Sequence, residues 1–529
     1  MPARSKKNED CLFVIDAGTQ SIRAAIVDLK GTIRDIVKTS IQPYYSERPG
    51  WAEQDPSYYW RVLCDTCRRL MKKTAFDAKS IKGVALTSQR NTMVNVDKSG
   101  NPLRPAIVWL DQRKAEVEEW PGFAARLGLK AIGLLDAAHN SIRECEANWI
   151  RQNQPGVWSK THKFLFLSGY FNYKLTGEFI DSTGNMPGYV PFDFKNHAWA
   201  KKSDFKWKMF PIEESKLFKL AKPSELLGYI TKTASKETGI PERLPVIAAA
   251  ADKACEVLGS GCLTPEIACL SYGTTATIET TNTKFIEIVP FFPPWPSAVP
   301  GAYNTEVMVY RGYWMVSWFK QEFGLREEII AKRRKIAPEV LFDEMIKEIP
   351  PGSMGLTLQP FWSPGVKIPG PEAKGAIIGF GDVHTRAHIY RAIIEGLAYA
   401  LKEGMIRTER KNNVKIEKIR VSGGGSQSRV AMQITADVFN LTAEKPHTYE
   451  TSALGAAIDA AVGLKLYPGF RDAVRGMTRV GEVFEPIPVN RDIYKKLFEE
   501  IYLKMYDRLV PFYQKIRDIT GYPPKYMKK

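Results

Sequence analysis

Three short segments of this chain carry the residue types that hold phosphate groups in proteins. They are residues 16–21 (Asp-Ala-Gly-Thr-Gln-Ser), which Arg23 follows, residues 273–275 (Gly-Thr-Thr) and residues 423–426 (Gly-Gly-Gly-Ser). Glycine turns, hydroxyls and cations supply hydrogen-bond donors and positive charge where a phosphate group sits. A single Gly-Thr turn is also what a plain β-hairpin shows, so the combination of three indicates phosphate binding.

Other nucleotide-binding folds have fingerprints that this sequence lacks. It contains no GxxxxGK[ST] loop, and no GxGxxG between strand and helix with an acidic residue about 20 positions later. The phosphate-binding turns therefore point to a different architecture.

Asp252 is the candidate for proton transfer. It follows a run of four alanines, residues 248–251, whose small side chains let backbone or substrate approach closely. Two interpretations stay open from the residues alone: a catalytic carboxylate, or the N-cap of a helix over residues 253–258.

The elements that must position these residues follow a repeated pattern. Apolar runs at residues 11–16 and 23–28 flank the first Gly-Thr turn, and those at 267–271 and 275–279 flank the second. Gly18-Thr19 thereby falls on Gly273-Thr274. A strand, turn and strand repeated about half a chain apart predicts two domains built on a common plan.

Hydrophobic periodicity predicts the larger helices. They cover residues 57–73, residues 385–410 with Thr385 as N-cap, and residues 491–519 as a closing helix. Residues 419–438 read as strand, glycine loop and helix, and the alternation of such units favours an α/β fold. The proline- and aromatic-rich residues 289–297 are expected to form a loop or an edge strand.

Length and composition bound the function. A chain of 529 residues exceeds one hydrophobic core, so two domains of about 250 residues are expected. The net charge of +17 favours anionic partners, yet no nucleic-acid motif and no apolar run of membrane length accompanies it, so neither partner is expected. Seven scattered cysteines favour a reducing cytoplasm, and residues 1–10 are expected to be a disordered basic tail.

Residues 375–395 carry a resemblance to a known family. Residues 375–380 (Gly-Ala-Ile-Ile-Gly-Phe), a seven-residue spacer and residues 388–395 (His-Ile-Tyr-Arg-Ala-Ile-Ile-Glu) resemble the second signature of the FGGY carbohydrate kinases. Segments similar to that family recur in family order from about residue 10 to 465: residues 16–21, 50–56, 109–113, 248–256, 423–425 and 450–456.

The resemblance implies an α/β fold with two actin-like (ribonuclease H-like) ATPase domains around an active-site cleft. The sugar-binding domain would cover residues 11–262, and the ATP-binding domain residues 263–529. ATP and Mg²⁺ are the implied cofactors, with Asp252 as general base and Asp16 as metal ligand. Implied substrate contacts are Arg90, Asn91, Trp109, Asp111, Asp252 and Lys253. Implied nucleotide contacts are Gly18, Thr19, Ser21, Arg23, Gly273, Thr274, Gly423, Gly424, Gly425 and Ser428.

Departures from family members bear on the substrate. Residues 89–92 read Gln-Arg-Asn-Thr, where glycerol kinases have Gln-Arg-Glu-Thr and xylulose kinases Gln-Met-His-Gly. Residues 109–113 look more like those of ketose and autoinducer-type members, so a ketose or linear polyol is expected. The alternatives are an inactive sugar-binding regulator and a nucleotide switch of the actin or Hsp70 kind. A homodimer is expected from the resemblance alone.

Overall fold

A computed structural model describes residues 9–117, 123–131, 135–289, 292–363, 365 and 369–522. Residues 1–8 of the expected tail, and residues 290 and 291 of the proline-aromatic segment, lie outside the described residues. In the part of the chain that is described, no helix combines the length and apolarity needed to cross a membrane.

The N-terminal half contains fourteen strands and nine α-helices among the described residues. The strands are β1 (Cys11–Ala17), β2 (Ser21–Asp28), β3 (Ile33–Ser40), β4 (Glu53–Gln54), β5 (Ile81–Ser88), β6 (Met93–Val96), β7 (Ala106–Ile107), β8 (Lys163–Phe166), β9 (Ile180–Ser182), β10 (Phe192–Asp193), β11 (Ala198–Trp199), β12 (Lys219–Ala221), β13 (Leu226–Tyr229) and β14 (Pro245–Ala248). The helices are α1 (Pro56–Lys73), α2 (Phe123–Ala131), α3 (Leu135–Glu144), α4 (Glu146–Asn153), α5 (Pro155–Lys160), α6 (Leu167–Thr176), α7 (Lys206–Met209), α8 (Lys232–Thr238) and α9 (Asp252–Gly259).

The C-terminal half contains nine strands and nine α-helices within the same limits. The strands are β15 (Ile267–Tyr272), β16 (Ala276–Asn282), β17 (Trp295–Pro296), β18 (Tyr303–Val309), β19 (Thr357–Gln359), β20 (Ala376–Ile378), β21 (Lys418–Ser422), β22 (Ala443–Pro446) and β23 (Val480–Phe484). The helices are α10 (Trp314–Phe323), α11 (Leu325–Arg334), α12 (Pro338–Ile346), α13 (Arg386–Asn412), α14 (Arg429–Phe439), α15 (Thr451–Gly463), α16 (Phe470–Met477), α17 (Pro488–Lys496) and α18 (Leu503–Thr520).

The two central sheets share one topology. The first has the order β13-β14-β5-β1-β2-β3, and the second β17-β18-β16-β15-β21-β22-β23. In each, an antiparallel hairpin (β1-β2, β15-β16) is joined by a three-residue turn, and its first strand pairs in parallel with a later strand (β5, β21). Strand β1 is buried throughout, as the continuous apolar run of a central strand requires. The predicted repeat is confirmed.

Most of the predicted helices are confirmed. Helix α1 matches the expected helix over residues 57–73, and α13 begins after Thr385, which forms a capping box with His388. Strand β21, the glycine loop and α14 follow one another as expected. Residues Trp295–Pro296 form the edge strand of the second sheet, in agreement with the expectation for that segment.

The predicted closing helix is confirmed over residues 488–520, and it contains a π-helical segment that the prediction did not include. A π-helical segment, Leu497–Tyr502, separates α17 from α18. Phe498 and Tyr502 both pack against Tyr399 of α13, with ring centroids 5.9 and 5.1 Å apart. The wider π-helical turn accompanies this aromatic contact. A periodicity of 3.6 residues in the sequence does not predict such a turn.

Helices α9 and α15 join the two halves. A third apolar core, to which α15 contributes several alanines, connects the first sheet to this helix pair. A Cβ on Gly455 would lie 1.9 Å from the carbonyl oxygen of Cys255, so only glycine permits this approach. Asp252 stands at the start of α9, and Glu450 immediately precedes α15.

Candidate active site

Asp252 occupies the first turn of α9, and its carboxylate does not cap that helix. The N-cap is Ala251, which makes no side-chain cap bond, so the capping interpretation is wrong. Asp252 Oδ1 accepts from the adjacent Lys253 N at 2.8 Å, and no described residue donates to Oδ2. Burial raises the pKa of Asp252 to about 6, although Lys253 and Arg90 lower it. Such a carboxylate can accept a proton near neutral pH.

Asp16 lies at the carboxyl end of β1, where an ion-pair chain fixes its orientation. Arg23 Nη1 donates to Asp16 Oδ2 at 2.7 Å, and Arg23 Nε lies 3.2 Å from Glu450 Oε2. The negative charge of Asp16 also contributes to the raised pKa of Asp252, so both carboxylates face one region. Glu450, although inside a family-like segment, was missed as a partner of Arg23 because the two are far apart in sequence.

The first Gly-Thr turn makes hydrogen bonds to Gln89 and Trp109, which follow it in the N-terminal half. Gly18 N donates to Ser21 O at 3.1 Å, so Ser21, which is buried, closes the turn through its backbone carbonyl. Thr19 Oγ1 donates to Gln89 Oε1 at 2.8 Å and accepts from Trp109 Nε1 at 3.0 Å. Thr19 therefore connects the turn both to Trp109 and to Gln89, which sequence reasoning did not select.

The second Gly-Thr turn is anchored through its carbonyl oxygens. Gly273 O accepts from Tyr313 N at 3.0 Å and Thr274 O from Trp314 N at 3.3 Å, which ties the turn to the start of α10. Lys253 Nζ bonds Ser271 Oγ and lies 2.9 Å from Glu256 Oε2, directly beside Gly273. The structure thus brings Lys253 to the phosphate turn, whereas the resemblance placed it among the substrate contacts.

Two positions of the glycine loop 423–425 require glycine, and the third has free space beside it. Gly423 has φ of 80°, and a Cβ on Gly425 would lie 2.4 Å from Tyr313 Cε1, so both positions require glycine. Among the described residues, no atom lies within 4 Å of a Cβ built on Gly424, which leaves that side of the loop approachable. Ser428 caps α14 by accepting from Ala431 N and donates to Asp343 Oδ1, so its hydroxyl is committed within the protein.

Trp109 and Asp111 have different environments. The Trp109 ring is 38% exposed, so it can contact a ligand. The Asp111 carboxylate is buried and accepts from Ala52 N at 2.6 Å, from Arg113 N and Nε at 2.8 Å and from Arg113 Nη2 at 2.7 Å. These bonds fill both oxygens of Asp111. The geometry supports a positioning task for Asp111, and its direct contact with substrate stays a prediction.

Arg90 crosses from the first half to the second. Its Nη2 lies 3.2 Å from Glu306 Oε2, and its guanidinium stacks over Trp295 at 4.6 Å from the ring centroid. The neighbouring Asn91 has φ of 55°, a left-handed conformation that is uncommon outside glycine. Its Oδ1 is buried without a hydrogen-bond partner among the described residues.

Buried polar groups without partners gather around this crossing point. Asn304 and Glu306 alternate on β18, so they share one face of the sheet, and they pair opposite Thr281 and Glu279 of β16. The orphaned atoms in the described chain include Asn91 Oδ1, both amide atoms of Asn304, Glu306 Oε1, Thr183 Oγ1 and Asn185 Oδ1. The turn Thr183–Asn185 touches β17, and Gly184 O accepts from Ala251 N beside Asp252.

Unpartnered buried polar groups are costly, so such a gathering indicates a place for water or a polar ligand. Sequence reasoning missed Glu279, Asn304 and Glu306. No motif marks these three residues, and their position near Arg90 depends on the pairing of β16 with β18.

The two duplicated α/β sheets, the paired phosphate turns and the carboxylate between them define a two-domain phosphotransferase with an alcohol group as acceptor. The chain matches the N-terminal domain of the FGGY family of carbohydrate kinases over residues 11–259 and the C-terminal domain over residues 268–464. It belongs to that family.

Individual relatives agree with this assignment. The chain is 31% identical to the uncharacterised sugar kinase YgcE of Escherichia coli over 496 residues, which cover 92% of each chain. It is 28% identical to the xylulose kinase of Staphylococcus epidermidis over 506 residues, 93% of this chain and 97% of the relative. The solved xylulose kinase of Rhodospirillum rubrum is similar at 25% identity with a TM-score of 0.78, covering 95% of this chain and all of the other.

Proposed function

We propose that this protein transfers the γ-phosphoryl group of ATP to a hydroxyl of a ketose or linear polyol. The observation that carries the proposal is the position of Asp252. It is a partly buried carboxylate with a pKa of about 6, at the junction of the two halves and beside the phosphate turns. Xylulose and glycerol kinases among the relatives support a polyhydroxylated acceptor.

In the proposed reaction the acceptor hydroxyl oxygen forms a bond to the γ-phosphorus while the bond from that phosphorus to the ADP oxygen breaks. Asp252 Oδ2 accepts the hydroxyl proton. Lys253, beside Gly273, and Arg23 offset the charge on the phosphate groups, and catalysis rests mainly on positioning and electrostatics.

The donor chemistry of Asp16 fits Mg²⁺, the implied metal. Mg²⁺ is commonly held by one or two carboxylates together with substrate phosphates and water. No group of three or more acidic, histidine or cysteine side chains that could enclose a metal occurs among the described residues, which agrees with a metal shared with ATP. Bound there, Mg²⁺ would supply neutralisation of phosphate charge.

The acceptor pocket favours an uncharged ligand. Its orphaned amides, hydroxyl and carboxylate suit a molecule with several hydroxyl groups. Arg90, the cation nearest these groups, is already paired with Glu306 and stacked on Trp295, so it offers little to an acceptor carboxylate. Asn91 replaces a glutamate that glycerol kinases carry, which makes glycerol a poorer fit.

The test is ADP release from MgATP across ketopentoses, ketohexoses, linear polyols, glycerol, aldonates and autoinducer-type diones. We expect stimulation by a ketose or linear polyol and none in Asp252→Asn. Equal stimulation of wild type and variant would contradict the role of Asp252. Confirmed ATP binding with no stimulation by any acceptor would instead favour an inactive sugar-binding regulator.

The scattered cysteines support a cytoplasmic location and the resemblance supports a homodimer, and we retain both as proposals. Light scattering on the purified protein tests the second. A monomeric mass at micromolar concentration would contradict it.

A further inference from the structure

A second cavity lies at the far end of α9 from Asp252. Its volume is about 480 Å³, and it is bounded by the linker after α9, by β21 and β22, and by α16 with the residues that follow it. An eight-residue helix is about 12 Å long, so this cavity is separate from the active site.

The lining of this hinge cavity is strongly basic. Four arginines (Arg420, Arg471, Arg475 and Arg479) face it together with one carboxylate, Glu444. The Arg420 guanidinium is fixed by Glu444 Oε2 and Ser260 O, both at 2.9 Å. Arg479 bonds the backbone oxygen of Lys30 and the hydroxyl of Thr32.

Arg471 and Arg475 remain available. They stand four residues apart on α16 and therefore project from the same side of the helix. Neither makes a hydrogen bond or an ion pair with any residue that the structure describes. Guanidinium groups bind phosphate oxygens through paired N–H donors, and two such groups at this spacing match a ligand with two phosphoryl groups.

The linker is built to leave this space open. Gly261 has φ of 77°, and a Cβ there would lie 2.2 Å from Arg420 Nη1. A side chain at this position would therefore displace the guanidinium. The cavity wall thus depends on a specific backbone conformation in the connection between the two halves.

The cavity lies next to the place where the α16 segment meets the first half of the molecule. Arg420 and Glu444 stand on the second sheet. The segment around α16 is bonded to the β2–β3 turn of the first half, where Tyr467 Oη donates to Leu29 O at 2.6 Å. An anion held by Arg420, Arg471 and Arg475 would contact the second half, beside this junction.

We infer that this hinge cavity binds a small polyanion carrying two phosphoryl groups, held by Arg471 and Arg475 against the fixed guanidinium of Arg420. The site differs from the proposed nucleotide and acceptor sites. Its ligand is defined here by charge and size: a diphosphorylated metabolite or pyrophosphate itself.

The test is calorimetric titration with inorganic pyrophosphate, with ADP saturating the nucleotide site and no divalent cation present. We expect the wild type to bind pyrophosphate more tightly than inorganic phosphate, and the double variant R471Q/R475Q to bind it at least tenfold more weakly. The matched control R326Q/R333Q removes the same charge from exposed positions on α11 and should bind like the wild type.

A further variant tests whether removing a negative charge from the lining strengthens pyrophosphate binding. Glu444→Gln removes the one carboxylate of the lining, so pyrophosphate should bind several-fold more tightly at low salt. No binding to the wild type, or equal binding to R471Q/R475Q and the control, would overturn the inference. Because no turnover is measured, this outcome is independent of whether the proposed kinase reaction holds.

Discussion

At the scale of single residues, the surroundings of Asp252 determine what its carboxylate can do. Burial disfavours the charged form and raises its pKa to about 6, while Lys253 and Arg90 oppose that shift. The sequence could identify Asp252 by resemblance, but it could not separate a base from a cap. The two interpretations are distinguished by the residue at which α9 starts and by the hydrogen bonds of the carboxylate.

The pH dependence of the reaction follows from this pKa. The base acts as a carboxylate, so it is active above its pKa and is lost as the pH falls and a proton binds. We expect kcat/KM for the acceptor to fall tenfold per pH unit below about 6 and to level off above it. Asp252→Asn should lose about 10²–10⁴-fold in kcat, and its activity should not show this fall below about pH 6 (the acidic limb of the profile). A limb that persists in the variant would assign it to another group.

Asn304 offers a second residue-scale prediction, on acceptor binding. Its amide is buried and unpartnered in the described chain, and a polar ligand would satisfy it. We expect Asn304→Ala to raise the acceptor KM about fivefold to a hundredfold, the cost of one or two hydrogen bonds, with the ATP KM unchanged. Asn153→Ala, on α4, is the control. Steady-state kinetics with both substrates varied would refute the assignment if both KM values rose together.

At the scale of elements, the pattern of apolar residues was enough for the hairpins, α1, α13 and the strand-loop-helix unit around residues 418–439. These elements are set by local periodicity and caps, which a sequence displays. The π-helical break before α18 depends on Phe498 and Tyr502 meeting Tyr399 on another helix, and local periodicity contains no trace of that contact. The strand pairing that brings Glu306 to Arg90 was not predicted for the same reason.

The crossing of α9 and α15 gives the element-scale prediction. Gly455→Ala would place a Cβ 1.9 Å from Cys255 O, so the helices must separate and Asp252 must shift. We expect about 1–3 kcal/mol of destabilisation, with kcat reduced. Gly128→Ala, inside α2 and with no atom of the described residues within 4 Å of the added Cβ, is the matched control and should be neutral or stabilising by up to about 1 kcal/mol. Chemical denaturation compares them; equal stabilities would contradict close packing at the crossing.

At the scale of the whole molecule, a kinase must keep water from the γ-phosphate until the acceptor is in place. The hairpin of β17 and β18 reaches from the second half to the first. Trp295 lies beneath Arg90 and contacts Phe194, with ring centroids 6.0 Å apart. We expect this aromatic bridge to close one side of the proposed acceptor site and to couple acceptor binding to the exclusion of water.

Trp295→Ala should therefore loosen the closed arrangement without removing any group from the phosphate turns. We expect the acceptor KM to rise about tenfold and the ratio of ATP hydrolysed to acceptor phosphorylated to increase, while the wild type shows only slow ADP release without acceptor. Phe292→Ala, three residues earlier and exposed, is the matched control and should leave both quantities unchanged. Parallel assays of ADP and phosphorylated product measure the ratio directly. A variant that keeps the wild-type ratio would show that the bridge is structural and that closure depends on other contacts.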